Sequence, residues 1–207
     1  MFNLNDVQPD DKRGDFQLIP NGTVCRVILK LQGGNHELAM YGRGNWFTFS
    51  KDTKAKWADV EFTIIGGQYD KRKFWDRIFV DGDKMTERNV PEAQEIGMRT
   101  IRAIVDSAKD LSISDMSEQA VNVRNSITGI GDLNGMELCV RIRIQKGTNG
   151  YEDKNVLSAP LTKDHKDYIS GGQPAMAPPT QQPSVQQPQQ APQQGTNTSY
   201  APSWANK

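Results

Sequence analysis

The chain has 207 residues, with 25 lysines and arginines and 25 aspartates and glutamates, so its formal net charge is zero. This balance excludes a polybasic protein that binds nucleic acid through bulk charge alone, but it leaves room for a locally basic groove. Hydrophobic residues make up only 36% of the chain, which indicates that part of it is not packed in a core.

The composition changes near Gly171. Residues 171–207 hold 7 of the 11 prolines and nine glutamines, and they contain no aspartate or glutamate. Such a segment cannot bury enough apolar surface to offset the entropy cost of ordering it. We therefore expect a polar leader at 1–14, one folded domain at 15–170 and a disordered Gln/Pro-rich tail at 171–207.

Targeting signals and metal-binding spacings are both missing from the sequence. No basic region followed by an apolar region opens the chain, and no stretch approaches 18 apolar residues, so we expect no signal peptide, no membrane span and a cytoplasmic location. Cys25 and Cys139 lie far apart in two apolar segments. We expect buried free thiols, with a single disulfide as the alternative, and no zinc site.

The folded part begins with predicted strands. Residues 22–31 are rich in β-branched and apolar side chains, and residues 57–65 alternate apolar and polar side chains. A turn at 66–68 leads to a third strand at 72–81. A long loop at 32–56 is expected to join the first two strands.

A predicted helix at 91–108 follows, with Pro91 near its start and acidic residues in its first turn. A second, short helix is expected at about 115–125, capped by Ser114 or Asp115. Strands are then predicted at 136–146 and 154–161 around a hairpin loop at 147–153. In the first of these, Leu138, Val140, Ile142 and Ile144 are expected to face inward, and Cys139, Arg141, Arg143 and Gln145 outward.

The order of these elements predicts a mainly β fold with one or two helices, of the α+β class. Five strands with a helix between the third and the fourth is the order of an oligonucleotide-binding (OB) barrel. Other five-stranded architectures share this order, so the barrel is an expectation rather than a deduction.

Aromatic and basic residues are concentrated at 41–79. This stretch holds 10 of the 16 aromatic residues, and its eight basic residues outnumber its five acidic ones. Aromatic rings stack on unpaired bases, at about 1–3 kcal/mol for each base, and cations follow the phosphates. The pattern therefore predicts a groove for a single-stranded nucleic acid.

Alternation within 72–81 places Lys73, Trp75, Arg77 and Phe79 on one face. Phe74, Ile78 and Val80 share the opposite face with Asp76. The alternative is that Trp75 and Phe79 pack under a neighbouring loop. Trp46 and Phe47 lie in a glycine-rich context that is atypical of a regular core strand, although they could cover an open end of the barrel.

The candidate nucleic-acid-binding residues are the aromatic and basic side chains of this stretch and of the last two predicted strands. They are Trp46, Phe47, Lys54, Lys56, Trp57, Tyr69, Lys71, Arg72, Lys73, Trp75, Arg77, Phe79, Arg141, Arg143, Lys146, Tyr151 and Lys154.

Signals for an enzyme are weak. His36 and His165 lie in polar surroundings without a nearby serine or cysteine nucleophile, and the glycine-rich runs lack the spacing of a phosphate-binding loop. We expect no catalytic residue, no metal and no cofactor.

Three segments resemble a single family: GGQYDKRKFWDRIFVDGDK (66–84), EIGMRTIRAIVDSA (95–108) and KGTNGYEDKN (146–155). They are similar to a phage and prophage family, long described as a domain of unknown function, that is associated with single-stranded DNA-binding proteins of replication and recombination modules. The resemblance spans roughly residues 15–168 and implies an OB barrel that coats single-stranded DNA. The matching positions are Gly67, Tyr69, Lys71, Arg72, Phe74, Trp75, Lys146, Asn149, Gly150, Tyr151, Lys154 and Asn155.

The tail departs from the pattern of bacterial single-strand binders, which usually end in an acidic tip that recruits replication proteins. No acidic residue occurs at 199–207. Tyr200 and Trp204 are then either a different docking motif or residues of a free end.

Together these features predict a non-enzymatic, sequence-tolerant single-stranded DNA-binding protein of phage replication or recombination. For such a protein the expected location is the bacterial host cytoplasm, without membrane contact and with the oligomeric state left open. Phage or host replication and recombination proteins are expected to bind through the tail. The alternative is an interaction module that recruits or loads a phage recombinase or nuclease, and a third possibility is a metal-dependent nuclease.

Overall fold

A computed structural model describes residues 17–148 and 150–171 as a mainly β fold with one six-stranded antiparallel sheet and two helices. The predicted leader, and the predicted tail beyond Gly171, lie outside the described residues. The predicted strands and helices are confirmed to within three residues at each end, and one strand is added. The strands are β1 (Val24–Leu31), β2 (Phe47–Phe49), β3 (Lys56–Ile65), β4 (Lys73–Asp81), β5 (Glu137–Gln145) and β6 (Lys154–Pro160), and the helices are α1 (Glu92–Ala108) and α2 (Glu118–Asn125).

The main core lies against the inner face of β3 and β4. Along β3, every second side chain from Ala58 to Ile64 is buried, as the alternation predicts. Phe62 of β3 and Phe74 of β4 are opposite each other, and their rings stack with centroids 4.9 Å apart. Burial of this face leaves the intervening side chains of both strands on the outer face of the sheet.

The strand β3 organises one half of the sheet. Residues 56–63 of β3 pair with β4 on one edge, while β2 and β1 share its other edge. The sheet then continues from β1 to β5 and from β5 to β6. Strand pairing does not join β4 to β6 within the described residues, so the six-stranded sheet is not closed into a barrel.

The prediction of an unbroken loop at 32–56 is wrong, because β2 lies within it. Phe47 is fully buried and its ring centroid is 5.4 Å from that of Tyr41. The glycine-rich context of Phe47 therefore precedes a short core strand, held by its pairing with Ala58 of β3.

Helix α1 packs directly on β4. A Cβ atom at Gly97 would lie 2.2 Å from the carbonyl oxygen of Phe79, so only glycine allows this approach. Ile104 and Val105 on the same helix are buried in the core.

Helix α2 is capped by Ser117, which corrects the prediction of Ser114 or Asp115. The Ser117 hydroxyl oxygen accepts a hydrogen bond from the Ala120 amide at 3.2 Å, and Asp115 accepts one from the Ser117 amide at 2.9 Å. The helix is tied to α1 by an ion pair of 2.7 Å between Arg124 and the fully buried Asp106.

Cys139 faces a small second core, which corrects its predicted outward position. Leu161 and Ile169 pack against it because the segment that follows β6 crosses this side of β5. Both Cys25 and Cys139 are buried free thiols, as predicted. Within the described ranges, no helix combines the length and the apolar character needed to cross a membrane.

Candidate nucleic-acid interface

The outer side chains of β3 and β4 form one surface, which we call the aromatic face. It comprises Trp57, Asp59 and Glu61 of β3 and Lys73, Trp75, Arg77 and Phe79 of β4. The predicted grouping of the four β4 residues on one exposed face is confirmed.

Two aromatic side chains of this face are open to solvent. Trp75 is 53% exposed and Phe79 is 42% exposed, so neither is packed under a loop of the described chain. They are four positions apart along an extended strand, a distance of about 13 Å. Arg77 lies between them along the strand, and its guanidinium is 4.8 Å from the ring centroid of Trp57. The Trp57 ring in turn packs on Phe79, with the two ring centroids 5.8 Å apart.

Two carboxylates hold the indole and cationic groups of the face in place. Asp59 accepts hydrogen bonds from Trp57 Nε1 at 3.0 Å and from Arg77 Nε at 3.2 Å. Glu61 accepts one from Trp75 Nε1 at 3.2 Å and pairs with Lys73 Nζ at 2.8 Å. The hydrogen bond from Lys73 lowers the pKa of Glu61.

Sequence reasoning missed the role of Asp59 and Glu61. The alternation of β3 was a signal for their place on the outer face, but their partners on β4 follow only from the register. That register puts Asp59 opposite Arg77 and Glu61 opposite Trp75.

A groove of about 570 Å³ runs beside the aromatic face, between β4, α1 and the β5–β6 pair. Trp75, Arg77 and Phe79 line one side, and Arg143 and Lys154 line the other. The structure thus brings predicted residues from distant parts of the sequence to one surface.

Asp76 also lines this groove, on the inner side of β4. Its two carboxylate oxygens accept hydrogen bonds from the backbone amides of Arg77 at 2.8 Å and Leu157 at 2.9 Å. Burial raises the pKa of Asp76, while the nearby charges of Arg143 and Lys154 act in the opposite direction.

Two predicted lysines lie at the end of β3 where Trp57 meets Phe79. Lys56 pairs with Asp81 at 2.5 Å, and Lys54 lies 3.8 Å from Asp83. The ammonium of Lys56 is also 5.2 Å from the ring centroid of Phe49. Both lysines line a second depression of about 470 Å³ next to the aromatic face.

Three predicted residues do not reach the face with exposed side chains. The prediction that Phe47 binds nucleic acid is wrong, because its fully buried ring cannot stack on a base. Trp46 is half-buried against the core, and its Nε1 donates to the Arg43 carbonyl at 3.2 Å. Arg141 pairs with Asp167 at 3.0 Å, in the segment that follows β6.

The two hairpin loops carry the remaining candidates. In the β3–β4 loop, Lys71 is exposed, Tyr69 packs partly on the core, and Arg72 lies 5.6 Å from the Tyr69 ring. In the β5–β6 loop, Tyr151 is 81% exposed and Lys146 pairs with Asp153 at 2.6 Å. The second loop adjoins the groove, since Lys154 directly follows it.

The described part of the chain holds no group of three or more His, Cys, Asp or Glu side chains placed to hold a metal ion. No protein-family model matches the chain, and no curated protein is significantly similar to it. The resemblance to the phage family therefore stays a prediction.

Proposed function

We propose that the chain is a sequence-tolerant single-stranded DNA-binding protein that acts without catalysis. The observation that carries the proposal is the exposure of Trp75 and Phe79 on either side of Arg77, beside a groove lined by Arg143 and Lys154. Exposed rings next to cations are what a strand of unpaired bases requires.

Stacking explains why the binding would tolerate any sequence and favour single strands. Every base has an aromatic face that can stack on Trp75 or Phe79, and these faces are hidden within a duplex. The balanced charge of the chain agrees with this preference, because binding to duplex DNA draws its non-specific affinity from phosphate neutralisation.

The strand order supports an open form of the OB barrel as the fold behind this activity. The order β4–β3–β1–β5–β6 leaves β4 and β6 next to each other across a gap, with the Asp76–Leu157 hydrogen bond between them. OB folds bind oligonucleotides on the face of their second and third strands, which correspond here to β3 and β4. A place in phage replication or recombination rests on the sequence resemblance alone.

A titration with labelled oligo-dT tests the proposal. We expect binding that quenches tryptophan fluorescence and that weakens with salt. Replacing Trp75 or Phe79 by alanine should weaken the affinity by about 5-fold to 150-fold, the equivalent of one lost stacking contact. Met116→Ala is the matched control, because it removes an exposed side chain near α2 and away from the groove.

The proposal fails if the unaltered chain neither shifts nor quenches with oligo-dT at low salt. Equal affinity for duplex of the same length would also contradict it, since the stacking faces are then not what is recognised.

Exposed apolar side chains near the start of α1 favour an interaction module as the second candidate. Ile96 and Met98 are both exposed, and the Met40 sulfur accepts a hydrogen bond from Gln94 in the first turn of this helix. A stable complex with a phage recombinase or nuclease in the absence of DNA, lost in a Met98→Asp variant that keeps its DNA affinity, would support this candidate, because Met98 is exposed and does not line the groove.

A further inference from the structure

The ion pairs divide the cations around the groove into two groups. Lys73 and Arg77 on the aromatic face are each paired with a carboxylate, Glu61 and Asp59. Arg143 and Lys154 on the opposite side have no ion pair within 4.0 Å among residues 17–148 and 150–171. The two sides of the groove therefore offer different groups to a ligand.

A phosphate gains little from a cation that already has a carboxylate partner. Beside Lys73 it meets the negative charge of Glu61, whose side chain is only 13% exposed and which also accepts from Trp75. An unpaired cation instead holds solvent and counterions, and their release on phosphate binding drives association. Arg143 and Lys154 come closer to this condition than Lys73 and Arg77. Asp76 acts on both of them through its charge but forms no ion pair with either within the described residues, and its oxygens accept hydrogen bonds from the Arg77 and Leu157 amides.

Arg143 and Lys154 are also suitably spaced along the groove. Arg143 of β5 is opposite Val156 of β6, and Lys154 is opposite Gln145, so the two cations are diagonal neighbours on one face of the pair. Diagonal neighbours in an antiparallel pair are about 7–8 Å apart. This separation suits two successive phosphates of an extended strand.

We propose that the groove has a base side and a phosphate side. The aromatic face takes the bases of a single strand, and Arg143 and Lys154 take the phosphates of the same strand. Asp59 and Glu61 are positioning residues, which fix Trp57 and Trp75 and withhold Arg77 and Lys73 from the phosphates. The inference rests on the proposed function and specifies how that site divides its ligand.

The salt dependence of oligo-dT binding by the full chain tests this division. The logarithm of the affinity falls linearly with the logarithm of the salt concentration, and each phosphate contact on a single strand makes this slope steeper by about 0.7. The double variant Arg143→Gln/Lys154→Gln should make this slope shallower by about 1.4, because two phosphate contacts are lost. The double variant Lys73→Gln/Arg77→Gln should leave the slope nearly unchanged, as should the control pair Lys109→Gln/Lys163→Gln, whose exposed side chains lie outside the groove.

Glu61→Gln tests the withholding role separately. Glutamine keeps an acceptor for Trp75 Nε1 but releases Lys73, so the slope should steepen by about 0.7 while the tryptophan emission stays the same. A merely structural role for Glu61 would change stability and leave the slope where it was.

The inference is overturned if the Lys73/Arg77 variant has a shallower salt slope than the unaltered chain while the Arg143/Lys154 variant has the same slope as that chain. It is also overturned if Glu61→Gln leaves the slope unchanged. Those outcomes leave the proposed function intact, because the unaltered chain still binds. Absence of binding by the unaltered chain at the lowest salt overturns both proposals. Circular dichroism and a thermal melt of each variant separate loss of binding from loss of folding.

Discussion

The carboxylate of Asp76 on β4 accepts a hydrogen bond from the backbone amide of Leu157 on β6 at 2.9 Å. It is a direct tie between two strands that do not pair with each other within the described part of the sheet. The same carboxylate accepts from the Arg77 amide, so one side chain satisfies two backbone donors at the groove.

Asp76→Ala should therefore lower the free energy of unfolding by about 1–3 kcal/mol, because a part-buried backbone donor is left without its acceptor. Urea unfolding followed by circular dichroism measures the loss. Asp52→Ala is the control, since Asp52 is an exposed carboxylate in the β2–β3 turn. Equal unfolding midpoints for the two variants would show that the tie contributes nothing to stability.

A second tie joins the start of the described chain to β6. The buried side chain of Asn155 accepts from the Ile19 amide at 2.9 Å and donates to the Ile19 carbonyl at 2.8 Å. Asn155→Ala should cost about 2–4 kcal/mol of unfolding free energy, because both backbone groups of the buried Ile19 lose their partner.

The Asn155→Asp variant distinguishes this geometry from simple packing. Aspartate has nearly the same shape, but it cannot donate to the Ile19 carbonyl, so it should not restore the stability. Asn125→Ala, at the exposed end of α2, serves as the control in the same chemical denaturation. Full stability of Asn155→Asp would contradict the two-bond arrangement.

The close approach of α1 to β4 gives a prediction about glycine. Gly97→Ala should destabilise the fold by about 1–3 kcal/mol, since the added methyl group meets the Phe79 carbonyl and forces the helix outward. Gly33→Ala is a matched substitution, because no atom lies within 4 Å of a Cβ built there. Thermal denaturation should therefore separate the two variants, and coinciding melts would refute the close approach.

The buried thiols give a chemical prediction. Burial, with a smaller contribution from Cys139, raises the pKa of Cys25 to about 12, and burial also raises the pKa of Cys139. Since the thiolate is the reactive form, neither cysteine should react with a thiol reagent in the native chain at neutral pH. Both should react at once in guanidinium chloride. Rapid labelling without denaturant would contradict the burial of these two side chains.

Alternation predicted the parts of the fold that depend on a single strand. It identified the buried and exposed sides of β3 and β4 and so placed Trp75 and Phe79 on one open face. It could not identify β2, whose three residues are too few for a period of two to show and whose burial depends on pairing with β3.

Tertiary contacts account for the remaining differences. Cys139 is predicted outward because its own strand alternates cleanly, but the polar-looking segment after β6 supplies Leu161 and Ile169 to cover it. The carboxylate partners of Lys73 and Arg77 follow from the register of β3 with β4, which composition and spacing do not specify.

The contact between Gly97 and Phe79 has a mechanical consequence for the groove. Because the helix backbone rests on the strand backbone without an intervening side chain, α1 and β4 form one stiff wall. The opposite wall is the paired ladder of β5 and β6. The hydrogen bond from the Leu157 amide to Asp76 spans the gap between the two walls, so it acts as a strut that holds the groove at one width.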